Sequence, residues 1–406
     1  MGSLNKTLLI LSGGKEAVEG ILIAKKMGLR TIVCDGNENA PGKKYADEFI
    51  IGNIYDHDEM QNIISRYSKK DAINGVITIA TDAVRTVAAL SEQLKLPGIT
   101  QKTARLSTDK FAMKKKFLKF AIQIPQFTDI ENESDLIKKI QNFNEAILKP
   151  IDSRGARGVI RINKNSDLQW AYNYSLKFSP TKKLILEEWL PGPQISTESL
   201  VINGKTYLCG IADRNYSNLN ETFPFIIENG GETPSKYYLK IKEKLEKILD
   251  NAAKALELKN GILKGDIVLK KNEPYIIETA VRLSGGFFST ITIPLVYHIN
   301  LVEKAILLAL GLKVNPPPSP LKHYFYQANR FFFPKPGIIK KISKPSKERI
   351  PKYVKFFELN AKVGDQVYPI ESHPMRKGSV LVYGKTRKQA IQRVTKFINK
   401  IEILTE

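Results

Sequence analysis

Two carboxylates and an arginine stand close together in the sequence around residue 270, in a pattern that predicts metal-assisted phosphate chemistry. Alternating β-branched residues on both sides of residues 271–274 predict a two-stranded hairpin. Such a hairpin brings Asp266 and Glu278 within about one residue of direct opposition. Two carboxylates that close repel each other unless a cation lies between them, and Mg²⁺ takes one or two protein carboxylates together with water and phosphate. Arg282 follows one turn later and can bind a phosphate or a carboxylate with its fork of donors.

Acidic residues on paired strands usually face solvent. From the hairpin alone, the alternative is that Asp266 and Glu278 lie on a solvated face and bind no metal. Upstream segments favour the metal interpretation. Lys110 begins an amphipathic helix, and Lys149 ends a predicted strand, although each could be an ordinary surface lysine. Residues 152–158 form a loop whose glycines let backbone N–H groups approach a polyphosphate, although Gly158 could be a simple hairpin glycine. Residues 187–190 end a strand with polar and then apolar side chains, which suits the edge and face of an adenine.

The first hundred residues alternate between predicted strands and helices, which indicates a parallel sheet with helices on both faces. The turn after the first strand holds Gly13 and Gly14 but lacks the G-x-G-x-x-G spacing of a dinucleotide site. Helix N-termini above such a sheet still favour an anionic ligand, so both glycines are candidate substrate contacts. Asp82 lies at the start of a predicted helix. Capping of this helix is enough to explain an aspartate there, and the alternative is that Asp82 contacts a substrate. We predict strands at 7–11, 31–34, 48–51 and 75–79, and helices at 15–27, 59–67 and 82–94.

Three regions are expected from the pattern of elements. The first is a βα domain at residues 1–107, and the second spans residues 108–312. A stiff proline-rich linker at residues 316–320 lies near the start of the third, residues 313–406. The predicted helices after residue 100 are 109–120, 134–142, 238–256 and 388–400, and the predicted strands are 146–149, 159–162, 184–188, 265–269, 275–278, 324–333 and 380–383.

Composition excludes several classes of protein. The two cysteines, Cys34 and Cys209, exclude a disulfide framework and a Cys-rich metal site, and we expect a reducing, cytoplasmic setting. No apolar run is long enough for a membrane span, so no membrane partner is expected. The formal charge of +22 is concentrated in residues 311–406, which carry 20 basic and 6 acidic side chains. Since no nucleic-acid-binding motif accompanies this charge, we do not expect a nucleic-acid partner; a basic nucleotide- or nucleic-acid-binding protein without turnover stays an alternative.

In their order and spacing, these motifs resemble the ATP-grasp superfamily. The resemblance covers nearly the whole chain and implies an α/β fold of ATP-grasp architecture. Its parts would be an N-terminal βα pre-ATP-grasp domain, a central ATP-grasp domain with a small lid subdomain at about residues 125–190, and a C-terminal α+β lobe like that of the biotin-carboxylase branch. The segments that carry the resemblance are Asp109-Lys110, Lys149-Pro150, the loop 154–158, residues 187–190, Asp266, and Glu278 with Arg282.

The resemblance implies a role for each of these residues toward ATP. Lys110, Lys149 and the glycine loop would hold the phosphates. Glu187 would accept from the adenine amino group, and the backbone of Glu188 and Leu190 would line the adenine. Gln194 stands where the family often has a ribose-binding Glu, which makes Glu198 a possible substitute. The implied ATP-binding residues are Lys110, Lys149, Ser153, Arg154, Gly155, Ala156, Arg157, Gly158, Glu187, Glu188, Trp189, Leu190, Gln194 and Glu198.

The resemblance also implies the metal site and the catalytic residue. Asp266 and Glu278 would bind one or two Mg²⁺ ions, with Mn²⁺ as an alternative, and Arg282 would stabilise the transferring phosphoryl group. The first metal carboxylate of the family is usually Glu, and the shorter Asp266 can shift the metal or favour one ion over two. The Arg-x-Gln-Val-Glu-His continuation of biotin carboxylases is absent after Arg282, which argues against biotin as the substrate.

Asp213-Arg214, the segment 228–235 and the run Arg282-Leu283-Ser284-Gly285-Gly286 resemble carboxylate–amine ligases of the L-amino-acid ligase type more than other branches of the superfamily. In that group an Arg-Leu-small-Gly-Gly run approaches the substrate carboxylate. The expected activity is ATP-dependent amide formation between a small carboxylate and an amine through an acyl phosphate; a carboxyphosphate-using carboxylase of a small amine or nucleotide precursor is the alternative. A homodimer is also implied by the resemblance. The candidate substrate residues are Arg214, Glu228, Ser284, Gly285 and Gly286, although Glu228 could be a surface-loop carboxylate.

Overall fold

The computed structural model describes residues 4–406, and its first region is a parallel four-stranded sheet with helices on both faces. The strand order is β3-β2-β1-β4, and all three strand pairs are parallel. This confirms the expected βα domain. The inner strand at residues 7–11 is completely buried because its five residues are all apolar or small. The elements are β1 (Thr7–Leu11), α1 (Lys15–Lys26), β2 (Arg30–Asp35), β3 (Glu48–Ile51), α2 (His57–Arg66), β4 (Ile73–Ile77), α3 (Val84–Gln93) and α4 (Gln101–Thr108).

The helix that was expected to begin at Asp82 begins two residues later. Its first residue is Val84, and the residue at its N-cap is Ala83, which makes no side-chain capping hydrogen bond. The capping interpretation of Asp82 is therefore wrong. The carboxylate instead accepts a hydrogen bond from Arg282 in the second region.

The second region opens with a helix and a small lid subdomain. The lid is an antiparallel sheet in the order β5-β8-β6-β7, and its apolar residues form a separate hydrophobic cluster with two helices. A small lid subdomain was expected, and the strands of this sheet lie between residues 127 and 188. The elements are α5 (Lys110–Lys119), β5 (Phe127–Ile130), α6 (Glu133–Lys139), β6 (Ala146–Pro150), β7 (Ile160–Ile162), α7 (Leu168–Lys177) and β8 (Leu184–Glu188).

The rest of the second region supplies five strands of an eight-stranded antiparallel sheet and the helices that cover it. Helix α8 buries Ile241, Leu245 and Leu249 against this sheet, and their spacing of four residues places them on one face. Each such buried side chain stabilises the fold by about 1.5–3 kcal/mol. The elements are β9 (Gln194–Ile202), β10 (Lys205–Asn215), β11 (Gly230–Thr233), α8 (Tyr238–Ala255), β12 (Gly261–Lys270), β13 (Glu273–Ala280), α9 (Ile293–Tyr297) and α10 (Leu301–Ala309).

The third region continues the same large sheet. The strand order is β13-β12-β9-β10-β11-β14-β18-β16, so three of the eight strands lie after the proline-rich segment. A smaller sheet in the order β17-β15-β19 completes the region. No helix within residues 4–406 is long and apolar enough to cross a membrane. The elements are β14 (Tyr326–Phe331), β15 (Gly337–Ser343), β16 (Val354–Leu359), β17 (Gln366–Val367), β18 (Gly378–Gly384), α11 (Arg387–Ile398) and β19 (Glu402–Thr405).

The three regions pack against one another and leave a cleft between them. One hydrophobic cluster contains Leu8 of β1, Ile21 of α1, Ile293 of α9 and Val302 of α10, so the N-terminal sheet is fixed to the second region. The first sheet, the large sheet and the lid meet at this cleft, where Arg282 contacts Asp82 and Arg154 contacts Tyr55.

Candidate active site

The predicted hairpin exists, and its two carboxylates are direct partners. Strands β12 and β13 are antiparallel, with Asp266 opposite Glu278 and a bulge immediately after Asp266. Asp266 accepts a hydrogen bond from Ser196 at 2.8 Å, and its two oxygens lie 2.5 Å from Lys264 Nζ and 3.3 Å from Arg214 Nη1. Burial raises the pKa of Asp266, but the two cations and these hydrogen bonds outweigh it and hold the pKa well below its usual range. Asp266 is therefore ionised at neutral pH.

Lys110 connects the β12–β13 hairpin to the glycine loop, residues 152–158. Its Nζ lies 3.5 Å from Glu278 Oε1 and donates a hydrogen bond of 2.8 Å to the carbonyl oxygen of Ser153. Lys110 reaches this point because it is the first residue of α5, a helix whose N-cap is Asp109. The predicted metal carboxylates and the predicted phosphate loop thus meet at one buried ammonium group.

The donor set of the hairpin fits a hard cation that also binds a ligand. Asp266 and Glu278 offer carboxylate oxygens on adjacent strands, which suits Mg²⁺. Among residues 4–406 no group of three or more His, Cys, Asp or Glu side chains is arranged to hold a metal. Two carboxylates leave coordination positions for water and phosphate oxygens, so the nucleotide would supply part of the metal's coordination.

Glu187 lies in a buried cluster with two lysines. Its carboxylate is 2.9 Å from Lys149 Nζ and 3.3 Å from Lys114 Nζ, and all three side chains are almost completely buried. Burial raises the pKa of Glu187, but Lys114 and Lys149 lower it by more. Burial lowers the pKa of Lys114 to about 8, against the attraction of Glu187. The expected adenine and phosphate contacts therefore lie side by side at the base of the cleft.

Sequence reasoning missed Lys114. The available signal was its spacing of four residues from Lys110, which places both lysines on one face of α5. The run Lys114-Lys115-Lys116 concealed this signal, because three consecutive lysines suggest a solvated surface. Only Lys114 of the three is buried.

The end of β8 holds the other residues predicted at the adenine. The N–H of Glu188 donates to the Gln126 carbonyl, and the N–H of Trp189 donates to the Glu145 carbonyl. These bonds fix the strand end, while Leu190 is buried beside it. Gln194 begins β9 and is paired with Val268 in the large sheet.

The glycine loop is in contact with both neighbouring regions. Gly155, Ala156 and Gly158 all have φ between 58° and 71°, so the loop uses the left-handed conformation that glycine favours. The guanidinium of Arg154 lies 3.5 Å from the ring centroid of Tyr55 in the first region. The N–H of His373 in the third region donates to the carbonyl of Gly155 at 3.0 Å. These two contacts tie the loop to the first and third regions.

Arg282 faces the cleft from the end of β13. Its Nε donates a hydrogen bond of 2.6 Å to Asp82, a contact between the second region and the first. Burial raises the pKa of Asp82, but Arg282 outweighs it, so the pKa of this carboxyl is lowered overall. The Arg282–Asp82 pair fixes the guanidinium between the metal hairpin and the N-terminal sheet.

The predicted ribose contact from Glu198 is wrong. Glu198 is completely buried beneath the loop that follows Arg282, where it accepts hydrogen bonds from Ser284 N at 2.9 Å and from Ser289 Oγ at 2.6 Å. A carboxylate without solvent access cannot reach a nucleotide in the cleft. Glu198 instead holds the backbone of residues 282–286 in place.

Gly286 makes an unexpected contact. Its N–H donates to Glu16 Oε2 at 2.8 Å, and a Cβ on Gly285 would lie only 2.7 Å from the same oxygen. The carboxylate at the two glycines is thus supplied by α1 of the first region. Sequence reasoning missed Glu16, since nothing near it in the sequence marks it as a site residue.

Arg214 and Glu228 form a partly buried ion pair next to the β12–β13 hairpin. Arg214 Nη2 donates to Glu228 Oε2 at 2.8 Å, and Arg376 Nη2 donates to the Glu228 carbonyl at 2.6 Å. The surface-loop alternative for Glu228 is wrong, because two arginines enclose it. Arg214 also contacts Asp266, so this pair connects the expected substrate residues to the expected metal ligand.

Three family models match successive parts of the chain. An ATP-grasp N-terminal domain matches residues 22–98, an ATP-grasp domain matches residues 107–286, and an L-amino acid ligase C-terminal domain 2 matches residues 330–406. The chain belongs to the ATP-grasp superfamily. The central ATP-grasp match contains the hairpin, both lysines and the glycine loop, and it ends at Gly286.

Curated relatives of this ATP-grasp protein are about one quarter identical to it and match only part of the chain. A formate-dependent phosphoribosylglycinamide formyltransferase of Prochlorococcus marinus is 25% identical over 194 residues, which is 46% of this chain and 47% of that protein. An enzyme of the same name from Methanococcus maripaludis is 25% identical over 189 residues, 46% of this chain and 48% of that protein. The chain thus spans about half the length of the curated relatives it matches.

Solved structures share the ATP-grasp fold over the whole chain. The L-amino acid ligase of Bacillus licheniformis has a TM-score of 0.83 and 19% identity, with 99% of both chains covered. The biotin carboxylase domain of Hydrogenobacter thermophilus 2-oxoglutarate carboxylase, solved with MgADP and bicarbonate, has a TM-score of 0.74 and 18% identity over 98% of this chain and 90% of that one. The phosphoribosylglycinamide synthetase of Anaerococcus prevotii has a TM-score of 0.72 and 21% identity over 99% of this chain and 100% of that one.

Proposed function

We propose that this protein is an ATP-dependent ligase that joins a small carboxylate to an amine through an acyl phosphate and releases ADP and phosphate. The observation that carries the proposal is the position of Lys110, which contacts Glu278 of the hairpin and Ser153 of the glycine loop at once. A nucleotide bound between these parts would have its terminal phosphates at the hairpin, with Arg282 beyond them.

The first step needs positioning and charge neutralisation rather than a protein nucleophile. A carboxylate oxygen attacks the γ-phosphorus, the bond to the β-phosphate oxygen breaks, and ADP leaves with the electron pair. Lys110, Lys149 and the loop from Ser153 to Gly158 would bind the phosphates, and Arg282 would stabilise the negative charge on the transferring group. Mg²⁺ held by Asp266 and Glu278 would neutralise charge on the same phosphates.

The second step forms the amide. The amine nitrogen attacks the acyl carbon, and the carbon–oxygen bond to phosphate breaks. The match of residues 330–406 to the C-terminal domain of L-amino acid ligases supports amino acids as substrates. The curated relatives are named for formate, so formate is a second candidate carboxylate.

The test is ADP release by the purified protein with MgATP. The panel contains the twenty L-amino acids singly and in pairs, formate with each amino acid, and bicarbonate alone. Release that requires both a carboxylate and an amine supports the ligase. Release with bicarbonate alone would instead support a carboxyphosphate-using enzyme, and binding of ATP with no release under any condition would contradict both.

The homodimer implied by the family resemblance stays a prediction. Light scattering on the purified protein measures it, and a mass near 45.8 kDa at all concentrations would contradict it.

A further inference from the structure

A cavity of about 520 Å³ lies at the carboxyl ends of the strands of the N-terminal sheet. It is lined by Ser12 after β1, Asp35 at the end of β2, Tyr55 after β3 and Thr81 after β4, with Glu16 of α1 on its wall. This edge of an open parallel sheet is where small ligands commonly bind, and the volume suits a molecule of up to about twenty non-hydrogen atoms.

Three residues that line this cavity connect it to the expected ATP-binding residues. Tyr55 lies under Arg154 of the glycine loop. Thr81 precedes Asp82, which binds Arg282. Glu16 accepts the hydrogen bond from Gly286. A molecule in the cavity would therefore lie next to the residues expected around the γ-phosphate and the acyl group.

Glu16 differs from the other carboxylate in the cavity. Asp35 is used by its own loop, since it accepts hydrogen bonds from Gly13 N at 2.8 Å and from Asn37 N at 2.9 Å. Glu16 uses one oxygen for Gly286, and it forms no ion pair with any residue among 4–406, whereas the adjacent Lys15 is paired with Glu358. Its second oxygen is therefore free to bind a cationic or hydrogen-bond-donating ligand.

The Glu16 carboxylate occupies space that a side chain at residue 285 would fill. Because Oε2 of Glu16 would lie 2.7 Å from a Cβ on Gly285, a side chain at residue 285 would displace the Glu16 carboxylate from its present position. Burial raises the pKa of Glu16, as does Glu358; the Gly286 N–H, Arg282 and Arg376 oppose the rise without cancelling it. A carboxylate with a raised pKa is a stronger base than an ordinary one.

We propose that the cavity binds the amine substrate and that Glu16 binds its ammonium group and acts as the general base of amide formation. The role rests on the proposed ligase function. One proton passes from the ammonium nitrogen to the free oxygen of Glu16, and the nitrogen lone pair attacks the acyl carbon. The carbon–nitrogen bond forms, the carbon–oxygen bond to phosphate breaks, and phosphate leaves with the electron pair and the second nitrogen proton. Glu16 then releases its proton to solvent.

The test separates the acceptor step from acyl phosphate formation. Hydroxylamine is a small nucleophile that is largely neutral at slightly alkaline pH, so it reacts with an acyl phosphate without a base. Hydroxamate formation and amide formation are measured with the best carboxylate among the twenty L-amino acids, with the amino acids as amines in the second assay. The variants are Glu16→Gln, Glu16→Asp and, as a matched control, Glu19→Gln, an exposed carboxylate on the same helix.

Glu16→Gln should keep hydroxamate formation within about twofold of wild type while amide formation falls by about 100-fold or more. The acidic limb of the pH profile of kcat/KM for the amine should disappear in Glu16→Gln and persist in Glu19→Gln. Glu16→Asp should recover part of the amide rate. The groups that face Glu16 and shape this limb are Arg282, Arg376 and Glu358.

Two results would overturn the role of Glu16. One is an amide rate in Glu16→Gln no lower than in Glu19→Gln. The other is an equal loss of hydroxamate and amide, which would make Glu16 a structural residue of the loop. If wild type forms neither product with any carboxylate, the ligase proposal itself fails and the acceptor role falls with it.

Discussion

Lys110 and Lys114 each contact a different carboxylate of the candidate site. Lys110 is 3.5 Å from Glu278 and Lys114 is 3.3 Å from Glu187, and both lysines are buried on one face of α5. The sequence pattern revealed Lys110, Asp266, Glu278 and Arg282, because each belongs to a local motif with a chemical reason. The spacing of Lys114 from Lys110 was concealed by the adjacent lysines, and nothing local marked Glu16; their contacts are with residues 73 and 270 positions away.

The hairpin carboxylates should be essential for turnover. Asp266→Asn and Glu278→Gln each remove a charge that the metal and phosphates require, so ADP release should fall by at least about 100-fold. The matched control is Glu273→Gln in the same hairpin, where the exposed carboxylate pairs with Lys244. Full activity in either hairpin variant would contradict the metal assignment.

Lys114 should make the free energy of unfolding increase as the pH rises in the alkaline range. Its pKa is about 8 in the folded protein against 10.5 for an unperturbed lysine, so the unfolded chain binds more protons between these values. The free energy of unfolding therefore gains a contribution as the pH rises through about 8 towards 10.5, and it loses this contribution as the pH falls back through the folded pKa. Urea titrations of wild type and Lys114→Met across this range measure the difference, which should vanish if Lys114 stays charged throughout.

At the scale of elements, long periodic segments were predictable and the middle of the large sheet was not. Helix α8 was located to within about one residue by its four-residue apolar spacing, and the turn and facing carboxylates of the hairpin β12–β13 followed from its alternating pattern. Strands β9 and β10 were not predicted, although Asn203-Gly204 between them is a strong hairpin signal, with φ of 51° and 78°. Their nearly continuous burial removed the alternation that marks a strand with one solvated face.

The glycine loop offers a test at this scale. Gly158 has φ of 71°, and a Cβ there would lie 3.0 Å from Pro150, whereas Gly204 has φ of 78° with open space around it. Alanine at either position should cost about 1 kcal/mol of stability through the left-handed conformation. Only Gly158→Ala should also raise KM for ATP, by about tenfold, because it displaces the phosphate loop. Equal ATP kinetics in the two variants would contradict the role of the loop.

At the scale of the molecule, the third region is part of the ATP-grasp sheet rather than an appended lobe. Strand β14 pairs with β11, and Arg387 lies 2.6 Å from Asp213 and 3.1 Å from Glu232 across this boundary. The proline-rich segment suggested a separate domain, since a linker is visible in a sequence and a shared sheet is not. Pairings between distant strands depend on contacts that no local pattern encodes.

Removal of residues 313–406 should therefore prevent residues 1–312 from folding. The truncation exposes the edge of β11 and leaves Asp213 and Glu232 without Arg387. Breaking a fully buried pair costs about 3–5 kcal/mol, and this partly exposed one costs less. We expect an insoluble or molten product by solubility and circular dichroism. A soluble fragment that still binds ATP would contradict the shared sheet as a source of stability.

The central claim is that a carboxylate is activated as an acyl phosphate in the cleft between the hairpin, the glycine loop and the N-terminal sheet. The most direct measurement uses a carboxylate substrate labelled with heavy oxygen and mass analysis of the released phosphate. An acyl phosphate transfers one labelled oxygen to phosphate in each turnover, and ADP is the nucleotide product. Unlabelled phosphate, or AMP as the nucleotide product, would contradict the account.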